Sequence, residues 1–409
     1  MQAFHFLHFF RYAWLLPVYG FGLLVVILIR VLRPYFLIRI GCLVSPRIGH
    51  FAANTEMYLC KIDAGIDKPK QKYFDIFYMG GSICNRQLEI MWRRILFVGP
   101  GWLFSRVARI NKLIPGGVEN DIGLNIYEYR DMHGLLNKIK PHLEFTAEEL
   151  LRGENELVNV IGVPLDAKYV CLNVRDSAYL GVGGGVDWSY HDFRDSDVNN
   201  YLLAAEALTI RGYYVIRMGA KVNTQLETSN PKIIDYATNG MRSDFMDIYL
   251  GANCEFAIST GSGWECVPGW LFRRPICNVN HSPIGVLSTF LEKALLLTKH
   301  HYSNTDGRNL TLSEIVTREL DMCSETNVWK AKGITLTENS PEEIRDIAVE
   351  MAQRLEGVWM SDKMDDELQQ KFWKIFPINS LDLRMQIQHI EINARYGANF
   401  LRTNPNWLQ

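Results

Sequence analysis

The sequence predicts an α/β protein of two doubly wound, Rossmann-like domains facing a cleft, preceded by an N-terminal hydrophobic membrane helix. Three observations carry that reading. Short apolar runs end in glycine-bearing turns and lead into helical patterns, between Phe36 and Ser82 and again from Tyr169 onward. The 409 residues are enough chain for roughly two or three domains. From Tyr12 to Ile29 about 18 residues pass without a charge, just enough for a helix to cross a hydrocarbon core.

The elements follow in order. Phe4, Phe6, Phe9, Phe10 and Arg11 precede the charge-free stretch, and Arg30, Arg33, Arg39 and Arg47 follow it. The arginine excess behind it places the bulk of the chain at the cytoplasmic face of the inner membrane. A helix dipping into one leaflet competes with a span, because Pro17, Gly20 and Gly22 interrupt the segment and Pro34 ends it. Phe36–Val44 reads as a strand, a helix is expected from the N-cap Asn54, and Asp75–Met79 reads as a second strand. In the second half, strands are expected at Tyr169–Val174, Tyr213–Met218 and Glu255–Ser259, with a further one starting at Arg274. Helices are expected at Val198–Ile210, at Phe245–Leu250, from about Trp264, and after the Ser340-Pro341-Glu342-Glu343 capping signal. The expected divisions are a membrane anchor over 1–34, an acceptor-side domain over 35–150, a ligand domain over 151–375, and a helical tail over 376–409 packing back on the first domain.

Composition narrows the function. With 43 Lys+Arg against 45 Asp+Glu, the net charge of −2 lacks the basic excess of a nucleic-acid binder. Eight cysteines are too few for a disulfide scaffold, and no CxxC, CxxH or HExxH spacing suggests a metal site. No GxxxxGK[ST] loop is present, and Gly181–Gly185 lacks the strand–turn–helix context of a dinucleotide fingerprint; it reads as a flexible, substrate-covering loop.

Ligands of open α/β sheets bind beyond the carboxyl ends of strands, so the loops there hold the candidates. Arg175, in Asn173-Val174-Arg175-Asp176-Ser177, can aim a planar fork at phosphate oxygens, or can pair with Asp176 or Asp195 as an ordinary ion pair. Ser259-Thr260-Gly261-Ser262-Gly263, with Glu265 just beyond, offers small residues, hydroxyls and a helix N-terminus to an anion; its bland alternative is a plain turn. Arg217 supplies a second cation or is simply exposed. In the first half, His50 beside Gly49 is a candidate general base, with Glu56 and Asp176 as the other candidates; lone histidines more often serve structure.

At these residues the chain resembles the donor-binding half of a GT-B glycosyltransferase. The stretch from Asp247 to Gly263, with Arg274-Pro275-Ile276 beyond it, looks like the helix, strand and Ser/Gly turn that hold a sugar nucleotide's pyrophosphate. Asn173-Val174-Arg175-Asp176 is similar to the arginine motif of fucosyltransferase-like enzymes, with Asn173 where those usually carry His. Over about residues 35–400 the chain also resembles a bacterial family of glycosyltransferase-like proteins with a shared NVRDSAYL…RDSDVNNY…IRMG core.

The resemblance implies a metal-independent transferase of nucleotide-diphosphate sugars, GDP- or UDP-linked, with no bound cofactor. In it Arg175 contacts the diphosphate, and Ser259 to Ser262 correspond to the Ser-bearing turn. The expected acceptor is an envelope glycan or lipid-linked molecule in polysaccharide biosynthesis, with membrane lipids as partners and no nucleic acid. A sugar-nucleotide epimerase and a non-catalytic sugar-nucleotide-binding partner in envelope assembly are the alternatives.

Overall fold

A computed structural model describes residues 16–124, 129–178, 189–285, 292–361, 363–376, 381–382, 387–388 and 394–409. The Phe4–Arg11 run, the start of the charge-free stretch and the Gly181–Gly185 loop lie outside them. The chain forms two compact units, Met1–Tyr129 and Arg130–Gln409.

Unit 1 opens with helix α1 (Leu16–Leu32), whose Gly22, Val26 and Ile29 lie buried along one side. Strand β1 (Leu37–Leu43) pairs in parallel with β2 (Tyr73–Met79), from Leu37↔Tyr73 to Leu43↔Met79. Single parallel bridges extend this pair on both sides, Ile40 with Asp121 and Phe77 with Val98. Helix α2 (Ile48–Asp63) connects the strands, followed by α3 (Arg86–Ile95) and α4 (Gly101–Leu113). The expected start of α2 at Asn54 is corrected: the helix begins six residues earlier, and Asn54 is buried in its middle. Arg47 precedes the helix without a side-chain cap, so the strand-to-helix turn sets this end instead of a capping side chain.

The expected membrane segment falls partly on α1. It spans 17 residues, and among the described residues no helix is long and apolar enough to cross a membrane.

Unit 2 is built on a seven-stranded parallel sheet. Its strands are β3 (Tyr169–Asn173), β4 (Tyr214–Arg217), β5 (Ile233–Ile234), β6 (Phe256–Ser259), β7 (Ile276–His281), β8 (Leu295–Thr298) and, numbered by chain order, β14 (Arg395–Tyr396), arranged β14-β8-β7-β6-β3-β4-β5. Helix α5 (Ala147–Glu156) precedes β3; α6 (Leu202–Ile210) links β3 to β4; α7 (Asp244–Asn253) leads into β6. A small antiparallel sheet of β9 (His300–Ser303), β10 (Arg308–Asn309) and β11 (Ile334–Thr337) follows, with α8 (Leu312–Thr317) and α9 (Thr326–Ala331) in its connections. Helix α10 (Pro341–Glu356) starts on the anticipated Ser340–Glu343 capping box and ends at Gly357 in the left-handed region. Helix α11 (Lys363–Ile375), the two-residue pair β12 (Leu381–Asp382) and β13 (Ile387–Gln388), and α12 (Ala398–Thr403) complete the unit.

Two boundaries differ from expectation. Residues 130–150 belong to unit 2, because Phe145 stacks on Phe272 at 5.7 Å and Arg273 donates to the Ile139 carbonyl. The C-terminal tail belongs there too. Strand β14 adds to the sheet edge, where the Tyr396 hydroxyl lies 2.9 Å from that of Thr298.

Candidate functional site

The strand order of unit 2 fixes where a ligand site belongs. From β3 the chain steps outward to β4 and β5, then crosses back to place β6 on the other side of β3. The β3/β6 boundary is therefore a topological switch point, where the connections leave in opposite directions and open a crevice at the carboxyl ends. Asn173 and Ser259 end these two strands in register, so the Arg175 loop and the Ser259–Gly263 turn sit side by side.

The two loops are tied together. The Arg175 amide donates to Thr260 Oγ1 at 3.0 Å, the Thr260 amide donates to the Asn173 carbonyl, and the Ser262 hydroxyl donates to Asn173 Oδ1. Ser259, fully buried, accepts from the Gly261 and Ser262 amides through its Oγ. The hydroxyls expected to meet a ligand thus engage the scaffold and fix the turn's shape. Asn173 serves the turn as Ser262's acceptor. Gly261 has φ +78°, a conformation that favours glycine, and an added Cβ would sit tightly, 3.1 Å from the His281 ring.

The turn is followed by a short 3-10 segment, Gly263–Cys266, and a π-type turn, Val267–Leu271, in place of the α-helix expected from Trp264. Pro268, which has no N–H to donate, interrupts the ladder there. Glu265, in the 3-10 segment, is buried.

Arg175 Nε donates to Asp195 Oδ1 at 2.9 Å, whereas its Nη2 is buried with no hydrogen-bond partner among the described residues. The ion pair considered from sequence is present, and it leaves one arm of the fork unused. Burial pushes the Asp195 carboxyl upward and the Arg175 charge opposes that shift. Lys299, just beyond β8, is buried, and its ammonium donates to the Asp195 carbonyl at 2.5 Å. Desolvation lowers its pKa, against the opposing pull of Glu338 and Asp195. Arg194 donates to the Gly261 carbonyl. Three cations therefore surround the two loops.

Further buried polar atoms without a partner lie along this edge. Among the described residues they are both amide atoms of Asn278, whose register partner is Ser259, and the Ser282 hydroxyl after β7. An unsatisfied buried polar group costs about 1–3 kcal/mol. Each such atom asks for an explanation, and their gathering at the switch point makes this edge the candidate site.

Two candidates are directed elsewhere. Arg217 pairs with Leu172 in register but turns to the Asp235 carboxylate and the Thr224 carbonyl. Asp176 accepts from the Ala178 and Asn223 amides, bracing one loop against another. Arg194, His281, Lys299 and Asn278 escaped the sequence reading. A signal existed: β7, Ile-Cys-Asn-Val-Asn-His, places polar side chains in a wholly buried strand.

In unit 1, His50 lies in the first turn of α2, half-buried, with Nδ1 3.2 Å from Asn54 Oδ1 and its ring edge-on to Tyr129. Burial lowers its pKa below 6.5, with Asn54 opposing and Arg47 adding to the shift. If Nδ1 carries the proton toward Asn54, Nε2 holds the lone pair of a neutral imidazole. Glu56 is fully buried six residues on, accepting from the Cys60 thiol at 3.7 Å, so the two do not share one helix face.

No protein-family model matches the chain, and no curated protein of similar sequence is found. Among solved structures, the chain is similar to the ADP-heptose LPS heptosyltransferase II of E. coli, with TM-score 0.37 and 12% identity over 60% of this chain and 86% of that one. It is similar to a family 9 glycosyl transferase from Veillonella parvula, with TM-score 0.44 and 12% identity over 78% and 96%. The iron-containing dodecameric glycosyltransferase TibC from enterotoxigenic E. coli gives 0.29 and 11% over 58% and 56%. At such TM-scores and identities these likenesses establish no activity for this chain.

Proposed function

We propose that the protein is a glycosyltransferase whose unit 2 binds a nucleotide-diphosphate sugar at the β3/β6 switch point. The observation that carries the reading is the buried, partnerless Nη2 of Arg175, held by Asp195 beside a glycine turn. A diphosphate oxygen is the group such a donor suits, since N⁺–H···O⁻ contacts are about twice as strong as neutral ones. Lys299 and Arg194 add positive charge, and the small residues of the turn leave room for a phosphate to approach. These groups stabilise the diphosphate as it leaves, which is where charge develops during transfer.

His50, kept neutral by burial, is the candidate base for the acceptor hydroxyl. Asp176 and Arg217 drop to structural roles in this reading. The acceptor is an envelope glycan or a lipid-linked molecule at the cytoplasmic face of the inner membrane, which suits a chain with so apolar a first helix.

The test is a thermal-shift screen of the full chain against UDP-, GDP-, CMP- and ADP-sugars, followed by turnover with a lipid acceptor. A ligand that binds only the native state raises apparent stability, by about 2.7 kcal/mol at a hundredfold excess over Kd. The reading predicts a shift with the UDP-, GDP- or ADP-sugars, none with the CMP-sugar, and release of the corresponding nucleoside diphosphate. No shift with any of the four classes contradicts it.

A further inference from the structure

The rule that buries apolar side chains is broken on one face of unit 1. Helix α1 is apolar apart from Arg30, yet among the described residues the side that is covered is that of Gly22, Val26 and Ile29. Phe21, Leu24, Leu28 and Val31 repeat at helical spacing on the uncovered side, Leu24 being 64% and Val31 66% exposed. Tyr35, beyond the helix, is 82% exposed, and Trp102 on α4 is 60% exposed. Soluble monomers rarely expose so many large apolar side chains together.

We infer that unit 1 docks on an anionic lipid leaflet, with α1 lying in the plane of the interface and its Phe21–Leu28 face immersed. Charge identifies the occupant. Residues 1–129 carry fifteen Lys and Arg against eight Asp and Glu, a net of +7, whereas residues 130–409 carry −9. The first acidic residue of the chain is Glu56. The near-neutral total thus conceals a basic unit bearing the bare apolar helix, and basic groups at an anionic leaflet gain about 1 kcal/mol each. An acidic or purely apolar protein partner would use only one of these two features.

The helix packing gives the orientation. Gly22 approaches Ile110 and Val107 of α4 so closely that a Cβ would lie 3.0 Å from Ile110 Cδ1. Near one end of α1, Arg109 of α4 donates to the Tyr19 hydroxyl and Arg106 lies 5.9 Å from its ring. Near the other, Arg30 donates to Asn111 and to the Ile114 and Pro115 carbonyls. A helix flanked by charged α4 along this length cannot stand across a bilayer without immersing those arginines, which is costly. Lying flat keeps α4 in water and puts only the bare face in lipid.

The inference is independent of the sugar-nucleotide assignment. Flotation of the full chain with phosphatidylcholine vesicles, with and without phosphatidylglycerol, tests it. Expected is roughly tenfold or greater preference for the anionic vesicles, weakened but not abolished by salt. Leu24→Glu/Leu28→Glu, changing exposed positions only, should fall to background while melting like the wild type. Protease added outside preformed, sealed vesicles should still remove an N-terminal tag, because both helix ends stay on one side. Equal binding to both vesicle types, full binding by the double variant, or a protected tag overturns the proposal. So does a wild type that ignores vesicles but loses a dimer on Leu24→Glu/Leu28→Glu, which would make the face an interface between two copies.

Discussion

The two units break the same burial rule in opposite directions. Unit 2 buries polar atoms that have no partner among the described residues, Arg175 Nη2 and the Asn278 amide included. Unit 1 exposes apolar side chains that have no cover, with Leu24 and Val31 each about two-thirds accessible. The first kind of unmet demand asks for a polar ligand, the second for a lipid-like one. The difference teaches that a donor and a surface are recognised by separate halves of the chain, so changes in one half should leave the other half's ligand untouched.

The sharpest division concerns His50. As the acceptor-side base it should matter for turnover alone: His50→Ala is expected to cut transfer by about 10²–10⁴. Donor affinity should stay within about threefold, since the residue lies in the other unit's scaffold. Steady-state kinetics at saturating acceptor checks both numbers; a variant keeping most of its turnover removes His50 from the mechanism. The sign of its pH dependence follows from burial. A pKa below 6.5 leaves the imidazole neutral and competent at pH 7, so turnover should be flat there and fall only on acidification. The acidic limb should vanish in His50→Ala.

Much of this was legible in the sequence, for identifiable reasons. Strands β3 and β6 announce themselves as continuous apolar runs ending in polar loops, because a parallel strand is buried on both faces. The Ser340–Glu343 cap is local chemistry and reads directly. Asn54 misled because α2 takes its start from the β1 turn, which no side chain signals. Lys299 and His281 stayed hidden because they reach Asp195 and the Gly261 turn through sheet order, and strand order is not local. The half-used guanidinium of Arg175 is a matter of geometry: sequence offered Asp195 as a partner but could not say which nitrogen it takes.

A smaller effect sharpens the unit 2 side. Lys299→Met should weaken nucleotide binding about tenfold by removing one charge-assisted contact, with vesicle partition unchanged. Titration calorimetry beside flotation reads both; a shift in partition would erase the proposed separation. Gly261→Ala should cost about 1–2 kcal/mol of stability, because alanine is strained in the left-handed region and meets His281. Chemical denaturation measures it, and an unchanged midpoint would mean the turn relaxes freely. Least of all, chelation with EDTA should leave turnover within about twofold if the cations around Gly261 carry the diphosphate charge.

The central claim is that Arg175 reserves one arm for a diphosphate. Calorimetric titration of the preferred nucleoside diphosphate into wild type, Arg175→Lys and Arg175→Ala tests it most directly. The account predicts affinity lower by roughly 10- to 150-fold in Arg175→Ala, partial recovery in Arg175→Lys, and a folded protein throughout. Unchanged affinity in Arg175→Ala, with only a loss of stability, would contradict it and leave Arg175 as the structural partner of Asp195.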